Sequence, residues 1–200
     1  ESRAVIIGGG YIGLETAAML VSTGMQVTLL EREPRILNRV AAPEISQFFT
    51  RIHTEEGIKL LTGVEISELK GGQKINEVVC SDGQTFAADL VIIGIGVITN
   101  SELAAGVGLE INNGIVVNAF GETNDRDILA AGDCTYHFNK HYDRWLRLES
   151  IQNALEQAKV VARTICDHRQ EYDQIPWFWS DQYDLKLQIA GLSEGYDNLI

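Results

Sequence analysis

Residues 5–15 of the chain read VIIGGGYIGLE, and this stretch decides the fold. A short apolar run leads into glycines at positions 8, 10 and 13, and a helical spacing of apolar residues follows. Gly8 permits a tight turn, Gly10 lets a pyrophosphate approach the backbone, and Gly13 lets helix and strand pack closely. The order of strand, glycine turn and helix therefore predicts a Rossmann-type dinucleotide-binding fold of the α/β class.

The residues that open the predicted helix, Tyr11 and Ile12, complete the phosphate-binding turn. Unpaired N–H groups and the helix dipole favour an anion there. A second strand ends at Glu31, which is placed to accept hydrogen bonds from the adenosine ribose and to repel the extra phosphate of NADP. The alternative is a charged residue that starts a solvated loop. Arg32 complicates the choice, since NADP sites use arginines, but NAD is preferred.

Two further features extend this predicted site. Glu15, assigned to the first turn of the helix, either complements the helix dipole or lines the nicotinamide end of the pocket. Gly94, Ile95 and Gly96 follow an apolar strand, where ligands bind in open α/β sheets, although ordinary turn glycines would give the same pattern. With a helix over 43–56 and an antiparallel meander over 58–88 as the crossover, residues 1–95 form the predicted NAD-binding domain.

A second stretch, ILAAGDC at residues 128–134, has the pattern of a buried strand that stops at a glycine and an acid. Asp133 is placed to accept hydrogen bonds from a ligand hydroxyl, and helix capping or a local turn is the alternative. A loop rich in His, Tyr, Lys and Arg is predicted after it, followed by a long helix over 149–168.

The composition excludes several classes of function. A net charge of −12 disfavours general binding to nucleic acid or anionic membranes, and no apolar run reaches the roughly 18 residues of a membrane helix. The cysteines are few and form no CxxC pair, so neither a disulfide framework nor a metal site is predicted, and a cytoplasmic location fits best. The four histidines are scattered and are interpreted as surface or helix residues.

Several stretches together resemble the ferredoxin reductase components of bacterial oxygenase systems. The resemblance covers essentially the whole chain. It is carried by VIIGGGYIGLE, NGIVV, AAGDC, YDRWLRLESIQNALEQA and PWFWSDQYDLKLQIAGLSEGYD.

This resemblance implies a second cofactor, FAD. It implies that Asp133 binds the ribityl chain and that Glu149 and Ile151 lie at the flavin ring, with Ile151 offering its backbone N–H. Trp179 matches an aromatic residue that covers the flavin on the side approached by the iron–sulfur partner, and its alternative role is a core aromatic. The implied reaction passes a hydride from NADH to FAD and then single electrons to a [2Fe–2S] ferredoxin that serves an oxygenase or cytochrome P450.

The resemblance also implies a domain division. Residues 96–172 would be the returning part of an FAD-binding α/β domain, and 173–200 the start of an α+β partner-facing domain. The chain has one glycine motif where the family has two, so an internal piece of a longer reductase is expected, with weak or absent FAD binding on its own. Rival functions are a pyridine nucleotide-disulfide reductase or NADH oxidase, and an NAD-sensing flavoprotein.

Overall fold

The computed structural model describes residues 2–195, so the last five residues of the predicted C-terminal domain lie outside it. The described residues form two compact units. The first contains residues 2–96, Ser180–Leu187 and 193–195, and the second contains Val97–Trp179 and Gln188–Leu192. The domain boundaries predicted from the sequence stay predictions. In the described part, no helix is both long and apolar enough to cross a membrane.

The first unit is built on a parallel sheet. Its elements are β1 (Arg3–Ile7), α1 (Tyr11–Ser22), β2 (Gln26–Glu31), α2 (Pro43–Glu55), β3 (Lys59–Thr62), β4 (Ile66–Gly71), β5 (Ile75–Cys80), β6 (Thr85–Ala87) and β7 (Leu90–Ile93). The strand order is β3-β2-β1-β7, all parallel. Val5, Ile6, Leu29 and Leu30 are at most 1% exposed, and each contributes about 1.5–3 kcal/mol by burial. The predicted α/β Rossmann-type fold is confirmed.

The predicted meander over 58–88 is correct only in part. Strands β4, β5 and β6 form an antiparallel three-stranded sheet, but β3 joins the parallel sheet beside β2. The reason is the helix before it. A strand that returns after a crossover helix runs parallel to the strand it left, so α2 commits Lys59–Thr62 to the first sheet.

The second unit combines a small sheet with one long helix. Its elements are α3 (Glu102–Gly106), β8 (Ile115–Val117), β9 (Thr135–Asn139), β10 (Arg144–Leu146) and α4 (Ile151–Ile165). The strand order is β10-β9-β8, in which β8 and β9 are parallel and β9 and β10 are antiparallel. The long helix therefore starts and ends inside its predicted bounds of 149–168.

Two predictions for this unit were wrong. Residues 128–131 form only an isolated bridge, Leu129 with Glu122, because their backbone pairs on one side with residues 121–123. The segment after Asp133 is not a loop but β9 and β10, in which Tyr136 stacks on Trp145.

The chain continues into two strands, β11 (Trp177–Gln182) and β12 (Leu185–Ala190), which pair in a two-stranded sheet. Tyr183, between them, has a positive φ of 59°, which marks the tight reversal. The residues at this turn belong to the first compact unit.

Candidate functional site

The glycine turn in the first unit is packed backbone against backbone. Gly8 has φ of +109°, and a Cβ there would overlap the carbonyl of Gly94. A Cβ on Gly13 would overlap the carbonyl of Gly8 in the same way. The N–H of Gly94 donates to the carbonyl of Ile7 at 2.8 Å, which ties the end of β7 to the end of β1. Only glycine fits this junction of two strand ends and the start of α1.

Gly10 differs from its neighbours because a Cβ there would meet no protein atom within 4 Å. It is the N-cap of α1, with no side-chain capping bond, and the N–H groups of Tyr11, Ile12 and Gly13 have no acceptor within the helix. The cradle is therefore open and lined by amide donors, which fits a pyrophosphate. The Tyr11 hydroxyl is buried without a hydrogen bond to the described residues, and burial raises the pKa of Tyr11 to about 12.

Glu31, at the end of β2, is fixed against this turn. Its carboxylate accepts the N–H of Gly9 at 2.5 Å and the N–H of Glu33 at 2.7 Å. Glu31 is therefore more than the start of a solvated loop, and its remaining lone pairs can still accept ribose hydroxyls. Arg32 points into solvent, with its side chain 74% exposed and its guanidinium paired with Glu33 at 3.3 Å. The contact of Gly9 with Glu31 was missed, because the motif treats Gly9 as a variable position.

The other glycines predicted for this site lie beside it. A Cβ on Gly94 would be 3.6 Å from the N atom of Gly13, and Gly96 has φ of +110°. Ile95 between them is 68% exposed. The structure thus brings Gly8, Gly13 and Gly94 together at the carboxyl end of the parallel sheet, where the sequence places a ligand.

The sequence analysis assigned Glu15 to the first turn of α1, and this assignment was wrong. The helix begins at Tyr11, so Glu15 opens the second turn, where the dipole effect has largely decayed. Its carboxylate instead accepts a hydrogen bond from the Ser180 hydroxyl at 2.6 Å. No local pattern indicates this contact, since the two residues are 165 positions apart.

Asp133 lies in the second unit on a turn that is tied to α4. Gly132, with φ of +87°, donates its N–H to the Gln157 side chain at 2.7 Å, and Thr135 donates to the Gly132 carbonyl at 2.8 Å. A Cβ on Gly132 would lie 3.6 Å from the Cβ of Ala154, in the first turn of α4. The turn therefore presents Asp133, which is exposed, beside the start of this helix.

Asp133 is not the cap of α4. The N-cap is Ser150, whose hydroxyl accepts the N–H of Asn153 at 3.2 Å. Ile151 is the first helical residue and is 61% exposed, so its backbone lies at the solvent-facing helix end. Of the alternatives for Asp133, capping of this helix is excluded, whereas the local turn is present, closed by the N–H of Thr135, which donates to the Gly132 carbonyl at 3.0 Å. The ligand role of Asp133 stays a prediction.

Charged residues surround the same turn. Arg147 pairs with Glu149 at 2.5 Å and donates to the backbone carbonyl of Asp133 at 3.4 Å. Partial burial and the negative charge of Glu149 raise the pKa of Asp133, and Arg147 opposes them. Asp133, Glu149 and the first residue of α4 therefore share one end of the second unit.

Trp179 lies on β11 and is 42% exposed. A side chain this exposed is not a core aromatic of the described part of the chain. Three of the four histidines match expectation, since His141 and His168 are exposed and His53 lies in α2, although His53 is buried. His137 departs from it, because it is 3% exposed and belongs to the strand β9.

Comparison with known proteins gives a consistent picture. The sequence model of the pyridine nucleotide-disulphide oxidoreductase family matches residues 1–158, and that of a reductase C-terminal domain matches 177–200. Putidaredoxin reductase of Pseudomonas putida is 47% identical over 100% of this chain and 48% of its own length. A ferredoxin–NAD(P)(+) reductase of a Sphingomonas species is 44% identical over 98% of this chain and 48% of its own length.

Solved structures support the same family relationship. The reductase in a covalent putidaredoxin reductase–putidaredoxin complex superimposes with a TM-score of 0.95 at 47% identity, over 99% of this chain and 48% of that one. The resemblance to ferredoxin reductases is confirmed. The chain spans about half the length of the curated relatives it matches.

Proposed function

Because this chain belongs to the pyridine nucleotide-disulphide oxidoreductase family, we propose that the complete protein is an FAD-dependent NADH:ferredoxin oxidoreductase. The observation that carries the proposal is the open, amide-lined cradle at Gly10. Its base is formed by the tightly packed Gly8 and Gly13, and the Glu31 carboxylate lies beside it. Such a cradle fits an extended dinucleotide and has no need of a side-chain nucleophile.

The preference for NADH over NADPH rests on Glu31. The carboxylate is held at the end of β2 by the Gly9 and Glu33 N–H groups, so it cannot swing away from a ribose bound there. An additional phosphate at this position would meet its negative charge. Arg32, which could have served such a phosphate, is engaged with Glu33.

We assign FAD binding to residues of the second unit. Asp133 would accept hydrogen bonds from the ribityl hydroxyls, and the N–H of Ile151 would face the flavin ring at the positive end of the α4 dipole. FAD bound there would supply a hydride acceptor for NADH and a donor of single electrons. The task of the first unit would be to position NADH, with Glu15 at the nicotinamide end. The task of the second unit would be to position FAD, with Glu149 near the flavin ring. The exposed Trp179 would lie on the partner side.

The proposed partner is a [2Fe–2S] ferredoxin that serves an oxygenase or cytochrome P450. The names of the relatives support a ferredoxin-type partner. A cytoplasmic location is supported by the free cysteines at 80, 134 and 166. The test is cytochrome c reduction by the complete protein with NADH. Rapid reduction that requires added ferredoxin supports the proposal, whereas slow, ferredoxin-independent oxidation of NADH would favour an NAD-sensing flavoprotein.

The family description also covers disulphide reductases. Thiol titration before and after NADH reduction of the complete protein separates the two activities. A ferredoxin reductase gains no thiols, while a disulphide reductase gains two thiols for each NADH consumed, because one hydride supplies the two electrons that reduce a disulphide.

A further inference from the structure

Five side chains of the first unit form a continuous hydrogen-bonded chain that starts at the Glu15 carboxylate. Ser180 Oγ lies 2.6 Å from Glu15 Oε1, and Gln182 Nε2 lies 3.0 Å from Ser180 Oγ. His53 Nε2 lies 2.8 Å from Gln182 Oε1, and the Tyr183 hydroxyl lies 3.0 Å from His53 Nδ1. These hydrogen bonds thus join α1 and α2 through residues of β11 and the turn that follows it.

The carboxylate sets the direction of every bond in this chain. An ionised Glu15 only accepts, so the Ser180 hydroxyl donates to it and must itself accept from the Gln182 amide. The Gln182 carbonyl then accepts from His53 Nε2–H, which leaves Nδ1 of a neutral imidazole to accept from the Tyr183 hydroxyl. All four donors therefore point toward Glu15, and such aligned bonds reinforce one another.

The middle of this hydrogen-bonded chain is fully buried. Ser180, Gln182 and His53 are each 0% exposed. Burial lowers the pKa of His53 below its ordinary value, against the raising effect of the Gln182 hydrogen bond and the Glu56 charge. A neutral His53 is the state that the bond directions require. Polar groups this deeply buried need all their partners, so one side chain cannot rotate away independently of the others.

We propose that Ser180 is a positioning residue, which holds the Glu15 carboxylate on α1 in a fixed orientation through this chain, with His53 in the Nε2–H tautomer. The inference rests on the proposed function, in which Glu15 faces the nicotinamide end of the dinucleotide. The strands β11 and β12 would then do more than bear a partner surface, because Ser180 on β11 orients a side chain of the nucleotide site.

The first test is ¹⁵N NMR of the histidine side chains in the unmodified holoenzyme. The proposal expects His53 as the neutral Nε2–H tautomer at neutral pH. A neutral Nδ1–H tautomer or an imidazolium would overturn the bond directions and the proposal with them. This measurement needs neither NADH nor turnover, so it stands even if the proposed function fails.

The second test is stopped-flow reduction of the holoenzyme flavin by NADH in Ser180→Ala. Loss of one buried hydrogen bond that orients Glu15 should slow the reduction at saturating NADH about three- to tenfold and change NADH affinity less than about twofold. Ser67→Ala is the matched control, since this exposed serine lies on β4 and its hydroxyl donates to the Val79 carbonyl, away from Glu15. An unchanged rate in Ser180→Ala, or an equal loss in the control, would overturn the proposal. Absence of flavin reduction in the unmodified protein would instead count against the proposed function.

Discussion

Replacement of Gly10 by Ala probes the nucleotide cradle without disturbing the fold. A Cβ at Gly10 meets no protein atom within 4 Å, and its φ of −80° suits any residue. The folded protein should accept the methyl group, and reduced freedom of the unfolded chain should stabilise it by about 0.4–1 kcal/mol. The methyl group would instead occupy the open space beside the first-turn N–H groups of α1.

The expected loss of affinity follows from the bonds that the methyl group would displace. A hydrogen bond from an amide to a charged group is worth about 1.5–3 kcal/mol, so loss of one weakens NADH binding about 10- to 160-fold. Calorimetric titration with NADH measures this change, and thermal unfolding checks that the variant is folded.

The matched control is Gly72→Ala, in the exposed loop between β4 and β5. A Cβ there also meets nothing within 4 Å, and its φ is not positive, so the substitution should leave NADH affinity unchanged. If Gly10→Ala bound NADH as tightly as the unmodified protein while remaining folded, the cradle would not hold the pyrophosphate.

Three further predictions concern other parts of the structure. Gly13→Ala should destabilise the protein by at least about 1–3 kcal/mol in urea unfolding, since its Cβ would overlap the Gly8 carbonyl; a wild-type midpoint would refute the packing. Glu31→Gln should weaken NADH binding about tenfold without weakening NADPH binding, because the amide group that replaces one carboxylate oxygen no longer accepts hydrogen bonds; parallel titrations with both coenzymes test this, and an equal loss for both would contradict it. Burial lowers the pKa of His137 from 6.5 to about 4, so its contribution to stability is complete above pH 6.5 and is lost as the pH falls toward 4, by roughly 3 kcal/mol. Urea unfolding across this pH range should show that the free energy of unfolding falls as the pH falls in the unmodified protein and falls less steeply in His137→Asn. An equal pH dependence in the two proteins would contradict the prediction.

The first unit could be predicted well because its signals are local. The strand before Gly8, the glycine spacing and the helix after it lie within one short stretch. Gly8 and Gly13 each have a steric reason that the motif already encodes. The apolar run of β7 was equally clear. The exception was β3, which was assigned to the meander but pairs with β2, because an apolar run alone does not show which sheet a strand joins.

The second unit was harder to predict because its buried faces are polar. In β9 the buried residues are Thr135, His137 and Asn139, so the alternation of the strand resembles a hydrophilic loop. The opposite error occurred at residues 128–131, which are apolar yet only bridge-paired. The contact of Glu15 with Ser180 lies beyond any local pattern, because only the folded chain brings them together.

The most direct test of the central claim is an anaerobic titration of the complete, gently purified protein with NADH, followed through the flavin absorption band. The account predicts a yellow protein whose band bleaches fully with about one equivalent of NADH, because the flavin accepts both electrons of the hydride, and far less readily with NADPH. A colourless protein, or a flavin that NADH does not bleach, would contradict it.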